Sequence, residues 1–416
     1  MHADRNLIPR LARGEVLSAL AEARAVAVLG ARQVGKSTLV KDIAAGDHPA
    51  RYLTLDDQGA RDAANADPTG FIAEIDGSVV IDEIQRAPDL LLAIKVRLDS
   101  DQTRGQFLLT GSANLLTLPT VADALPGRID YINLWPLAQA EVERLDRRDV
   151  IDRFFDGPIP EISEVPVGRA AFADRLIVGG FPEACDRSNR GRSTFFRSYL
   201  ASTLERTLGD IATIRDRTNL ERLMRLIASR SGGIANYHGM GRDLGLDGNT
   251  ATAHTTILEN LFLVRRIPPW HRNLGSRLIK SPKIFIVDAG LLAFLLGADA
   301  ERIKRDGALA GQLLESFVVM ELLRLGEFCD PQVSLSHYRD KQQHEVDVIL
   351  ERPGGEIVGI EIKASASPTI GDFSGLRYLR DKLGSQFRRG ILLHTGSTTL
   401  PFGDRLTALP LQALWT

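Results

Sequence analysis

The run Gly30-Ala-Arg-Gln-Val-Gly35-Lys36-Ser37 constrains this chain more than any other stretch. A loop of the form G-x-x-x-x-G-K-S is entered from a buried strand and left through a helix N-terminus. Only that geometry turns several backbone N–H groups and the helix dipole toward one point. Residues 25–30 supply the apolar strand and residues 37–45 the helical pattern. Glycine lets the backbone curl, Lys36 would reach terminal phosphates, and the Ser37 hydroxyl would ligate Mg²⁺. The expected phosphate-binding set is therefore Gly30, Ala31, Arg32, Gln33, Val34, Gly35, Lys36, Ser37 and Thr38, with ATP and Mg²⁺ as expected cofactors.

Further apolar runs at 51–57, 78–83, 106–112 and 128–134 alternate with helix-length segments, including 87–99. Such alternation predicts a parallel sheet covered on both faces. The run Ser78-Val-Val-Ile-Asp82-Glu83 ends a buried strand in two carboxylates. Asp82 would hold the metal and Glu83 would polarise the attacking water. Thr110 or Ser112, at the polar end of the next strand, would orient that water. Arg128 is a candidate for stabilising γ-phosphate charge, in cis or across a subunit interface, the latter implying a homo-oligomer.

With 416 residues, 44% hydrophobic and 25% charged, the chain has material for several cores. Its organisation reads as 1–145, a P-loop domain; 146–216, a Pro/Glu-rich linker and helical region; 217–275, a winged helix; and 276–416, a last α/β block. Cys185 and Cys329 have no neighbouring Cys or paired His, so neither a disulfide scaffold nor structural zinc is expected. The first residues lack a signal-peptide core and no apolar run spans a bilayer, so a cytoplasmic, membrane-free protein is expected.

The net charge of −2 offers no global argument for nucleic acid, but the middle of the chain does. Residues 216–283 contain 11 Lys/Arg against 5 Asp/Glu. Leu220, Leu223, Met224 and Ile227 make a helical stripe. A second amphipathic segment at 251–261 carries Thr252, His254 and Thr255, and 262–267 is strand-like. Helix, helix, turn, helix and hairpin are the layout of a winged helix, with DNA as the expected partner through Arg265, Arg266, Arg272 and Arg277.

Residues 345–351 and 356–362 read as an antiparallel hairpin around Gly354. That centre sets Asp347 opposite Glu361, with Lys363 on the same face as Glu361 and Ile360 and Ile362 on the other. Like charges directly opposed are destabilising unless a divalent metal and the nearby ammonium intervene. Glu345 is an alternate ligand on the Asp347 face. His238, His254, His337, His344 and His394 show no paired ligand spacing.

These motifs resemble known families. The phosphate loop, Ile81-Asp-Glu-Ile-Gln85 and Leu109-Thr-Gly-Ser112 look like the AAA+ ATPases of the AAA_14 family, although Ala31 stands where that family commonly has Pro. Gly179-Gly-Phe-Pro-Glu183 and Lys280-Ser-Pro-Lys-Ile-Phe-Ile-Val-Asp288 look like the DUF4143 region that accompanies it. Asp347…Glu361-x-Lys363 resembles the PD-(D/E)xK nuclease fold. That resemblance implies Mg²⁺ ligation by Asp347 and Glu361, completed by Glu315 on the helix at 311–324, and water activation by Lys363. The combined expectation is an α/β multidomain protein: a parallel-sheet ATPase, a winged-helix middle and a restriction-endonuclease-like C-terminal domain. Its activity would be Mg²⁺-dependent ATP hydrolysis controlling DNA engagement, with metal-dependent cleavage as a further expectation. The alternative is an ATP-gated switch or scaffold for a protein partner, with an inactive nuclease-like domain.

Overall fold

A computed structural model describes residues 7–112, 127–159, 162, 169–210, 217–271 and 281–416. The chain divides into two compact units, one of residues 1–136 with 260–262, the other of 137–259 with 263–416.

The first unit is built on five parallel strands: β1 (Ala25–Leu29), β2 (Arg51–Thr54), β3 (Val79–Asp82), β4 (Phe107–Gly111) and β5 (Ile129–Asn133). Their order is β2-β3-β4-β1-β5, with every pairing parallel. All five strands expected from the alternation are present. Central β1, β3 and β4 are buried throughout, whereas edge strands β2 and β5 are largely half-exposed. This is why the central runs are almost purely aliphatic. The helix Lys36–Ala45 buries Leu39, Val40 and Ile43, and the helix Leu90–Ser100 buries Leu90, Leu91, Ile94 and Leu98. The connection leaving β1 runs toward the β2 edge and the one leaving β4 crosses β1 to the β5 edge, a reversal of the kind beyond whose strand carboxyl ends such sheets take ligands.

The second unit begins with several short helices and the long helix Asn189–Asp210, then the helix Arg217–Ser229, whose Leu220, Leu223, Met224 and Ile227 are buried as the stripe requires. Helices Tyr237–Leu244 and Gly248–Asn260 follow, then β6 (Val264–Ile267) and β7 (Lys283–Ile286). β7 pairs antiparallel with β6 and not with the C-terminal sheet, so a boundary at 275/276 cuts through a hairpin. The long helix Gly307–Gly326, mostly buried, precedes a six-stranded sheet. Its strands are β8 (Ser334–Arg339), β9 (Glu345–Glu351), β10 (Ile357–Lys363), β11 (Phe387–His394), β12 (Leu400–Pro401) and β13 (Leu406–Pro410), ordered β12-β13-β11-β10-β9-β8. The helix Ser374–Leu383 packs on it through Leu376 and Leu379. A Cβ on Gly375 would stand 2.0 Å from the Glu345 carbonyl oxygen, so glycine permits that close approach.

The hairpin β9–β10 has the anticipated register: Ile357 faces Glu351 and Ile360 faces Val348, symmetric about Gly354. Strands β8, β12 and β13 carried no sequence expectation. Among the described residues no helix is long and apolar enough to cross a membrane.

Candidate nucleotide site and a second ionic cluster

The phosphate loop leaves β1 under tight backbone constraints. A Cβ on Gly30 would stand 2.1 Å from the Leu134 carbonyl oxygen, so no other residue passes there. Gln33 and Gly35 both take left-handed conformations, φ 60° and 96°, before the helix begins. Lys36, 4% exposed, donates to the carbonyls of Gly30 (3.0 Å) and Ala31 (2.8 Å). Burial pulls its ammonium down to about 8, against the attraction of Glu83 and Asp82. A cation held only by neutral carbonyls is available to an incoming phosphate.

Asp82 ends β3, is 3% exposed, and accepts three hydroxyl donors from three elements. Ser37 Oγ donates to Oδ1 at 3.0 Å, Thr110 Oγ1 donates to the same oxygen, and Tyr52 donates to Oδ2 at 2.7 Å. Burial and the bond to Asp82 raise the Tyr52 phenol, keeping it a donor. Thr110 also accepts the Glu83 N–H at 3.0 Å. Glu83 sits at φ 60°, a strained conformation for a non-glycine residue that turns it away from the strand. Its carboxylate accepts a bond from Gln85 Nε2, which also donates to Ser112 Oγ at 2.9 Å.

The Ser37–Asp82 separation of 3.0 Å suits neighbouring oxygens in the octahedral shell of an ion with bonds of about 2.1 Å, so this donor set fits Mg²⁺. Tyr52, Gln85 and Arg10 had no assigned role in the sequence reading. Arg10 donates to the carbonyls of Val34 and Trp135, fixing the loop from outside the motif. Gln85 bonds Glu83 from two residues along the chain, whereas Tyr52 and Arg10 carry no local spacing and are brought in by tertiary contacts.

The second unit holds a different charged centre. Asp347 Oδ2 accepts the Ile362 N–H at 2.9 Å, and Lys363 Nζ lies 2.7 Å from Glu361 Oε1. The unforeseen member is Lys283 of β7. Its Nζ lies 2.8 Å from Glu315, 3.1 Å from Glu345 and 3.6 Å from Asp347. Although burial opposes it, these carboxylates raise the Lys283 ammonium above the ordinary lysine value. Burial and the Asp347 charge push Glu315 up to about 7 and Glu361 up to about 8, despite their lysines. Among the described residues no group of three or more His, Cys, Asp or Glu side chains is arranged to hold a metal ion. The residues expected as ligands meet, but around an ammonium.

Three family models match the chain. Residues 22–143 match the AAA domain, AAA_14. That match covers most of the first unit, whose parallel sheet and phosphate loop have the architecture of a P-loop ATPase. Residues 169–302 match a domain of unknown function, DUF8612, and residues 310–414 another, DUF4143. The Gly179–Glu183 and Lys280–Asp288 runs thus fall in the former region, a correction to their expected assignment. Uncharacterized proteins of Mycobacterium tuberculosis (Rv2008c) and Mycobacterium bovis (Mb2031c) are each 29% identical over 411 residues, covering 98% of this chain and 84% of theirs. Among solved structures, the Walker-type ATPase PABY2304 of Pyrococcus abyssi is 14% identical (TM-score 0.44; 70% of this chain, 97% of that one). The Thermotoga maritima Holliday junction branch migration motor RuvB is 18% identical (TM-score 0.28; 63% and 90%).

Arg128 of the first unit does not stand where the sequence placed it. It immediately precedes β5, whose first residue Ile129 aligns with Ala25, the first residue of β1. The P-loop begins at the far end of β1, about 16 Å away at strand rise. Arg128 is also paired with Asp99 at 2.6 Å. Action on γ-phosphate in cis is therefore excluded.

In the second unit, the two motif runs meet at one buried carboxylate. Asp288 accepts the N–H groups of Gly180 (2.6 Å) and Leu291 (2.9 Å), a structural task. Thr255 is fully buried and donates to the Ala251 carbonyl, so it is not on an outward reading face as expected. Arg225, Arg230 and Arg266 pair with Glu221, Asp243 and Glu259. Arg272, Arg277 and Lys280 lie outside the described residues.

Proposed function

We propose that this chain binds ATP and hydrolyses it with Mg²⁺. The reading is carried by the convergence of Ser37, Thr110 and Tyr52 on the Asp82 carboxylate beside the carbonyl-held Lys36. Lys36 exchanges its carbonyl partners for terminal phosphate oxygens. Ser37 and Asp82 would hold Mg²⁺, which would supply neutralisation of phosphate charge. Glu83, oriented by Gln85, positions the attacking water, and Thr110 ties Glu83 to Asp82, so that both carboxylates keep one geometry. ATP turnover by the purified chain tests this. Lys36→Ala should abolish nucleotide binding, and Glu83→Gln should retain ATP while losing about 10²-fold or more in turnover. Wild-type turnover in Glu83→Gln would remove Glu83 from its role. Arg128 acts on phosphate from a neighbouring copy; restored turnover on mixing Arg128→Ala with Glu83→Gln chains is the expected result, and no restoration would remove Arg128 from the site.

The ATP cycle governs duplex DNA engagement by the second unit. The succession of helices 217–229, 237–244 and 248–260 with the hairpin β6–β7 supports this winged-helix reading. Salt-sensitive retention of duplex DNA, altered by ATP, is the expected result. Absence of DNA affinity at low salt would leave the alternative, an ATP-gated switch for a protein partner.

A further inference from the structure

The cluster on β9 and β10 has the residue types of a metal-dependent nuclease centre, yet each expected ligand already has a cation. Glu315 and Asp347 are paired with Lys283, and Glu361 with Lys363. Lys283 is 4% exposed and comes from β7, the hairpin strand outside the C-terminal sheet. On another side the turn at Gly232, held by a bond from its N–H to the Ile284 carbonyl (2.8 Å), closes against Glu315. A Cβ on Gly232 would lie 3.0 Å from Glu315 Oε2.

We infer that Lys283 is a built-in counter-ion that occupies this carboxylate cluster in place of a divalent cation and fastens β7 to β9 and the helix Gly307–Gly326. A divalent ion requires carboxylate oxygens at about 2.0–2.6 Å, and an ammonium in ion-pair contact with those carboxylates denies it the same position. Like charge adds to the exclusion, because a second cation would share a buried site with Lys283. The ammonium itself is a matched occupant: it carries three N–H donors, donates one hydrogen bond to Glu315 at 2.8 Å, and forms ion pairs with Glu345 at 3.1 Å and Asp347 at 3.6 Å. The cluster is thus a closed ionic junction between the β6–β7 hairpin and the C-terminal sheet.

This inference bears on the nuclease-like cluster alone and is read without nucleotide, so its failure is distinct from a failure of the ATPase reading. The test is Mn²⁺ uptake by the full chain, followed by the electron paramagnetic resonance of free Mn²⁺. Wild type, Asp347→Asn and Lys283→Arg should take up equal amounts. Lys283→Met, nearly isosteric and uncharged, should bind one ion more than wild type, and Lys283→Met with Asp347→Asn should lose it. An ion bound by wild type but not by Asp347→Asn would overturn the inference. So would a folded Lys283→Met chain that binds no more than wild type. Should Lys283→Met not fold, wild type against Asp347→Asn still decides: equal uptake supports the inference and reduced uptake overturns it.

Discussion

Lys36 and Lys283 are equally buried, each 4% exposed, and each stands near carboxylates. Their surroundings give them opposite properties. Lys36 is bonded to two backbone carbonyls, and burial brings its ammonium down to about 8. Lys283 is bonded among three carboxylates and is held above the ordinary value. A buried ammonium satisfied by neutral dipoles gains by meeting a phosphate; one satisfied by charges loses by leaving them. The first is a binding group, the second a junction.

Exchanging the roles of the two lysines is the strongest way to break this comparison. Lys36→Ala should abolish ATP binding, read by fluorescent-nucleotide titration, with little loss of stability. Lys283→Met should do the reverse, leaving ATP binding intact and lowering the stability of the second unit by about 3 kcal/mol, read by chemical denaturation, because it leaves buried carboxylates unpaired. Equal effects of both substitutions on nucleotide affinity would end the distinction.

A middle-sized effect sharpens the nucleotide side. Thr110→Val removes the hydroxyl joining Asp82 to the Glu83 backbone while preserving shape. Turnover should fall about tenfold, or more, with ATP affinity nearly unchanged. A rise in KM without loss of kcat would mean Thr110 serves binding.

Smaller effects come from pH. ATP affinity should weaken as pH rises through about 8, where free Lys36 loses its proton, by at most tenfold per unit. The second cluster should respond through stability. Glu361 is raised to about 8 by burial and Asp347 from an ordinary value of 4.5. Between these values the folded chain holds a proton that the unfolded chain releases, so stability is full below the lower value and falls as pH rises through the upper. The slope is at most about 1.4 kcal/mol per pH unit, and Glu361→Gln should flatten it.

Local chemistry and connectivity made much of this legible in the sequence alone. The strand–loop–helix around Lys36, the carboxylates ending β3, all five parallel strands and the register of β9–β10 follow from neighbouring residues and strand periodicity. Gly354 at the turn centre determined that Asp347 and Glu361 share one side, since pairing in a hairpin leaves no other freedom. The tertiary structure alone decided which distant groups complete each site. Tyr52 reaches Asp82 because β2 flanks β3, and Thr110, expected in the sequence to orient water, bonds Asp82 because β4 flanks β3 on the other side. Arg128 lies at the wrong end of the sheet because parallel strands start together. Lys283, counted in the sequence as one basic residue among many, enters the acid cluster because β7 is the return strand of a hairpin. Charge complementarity between such residues acts through space and not along the chain, which is why sequence spacing identified the acids but not the cation that neutralises them.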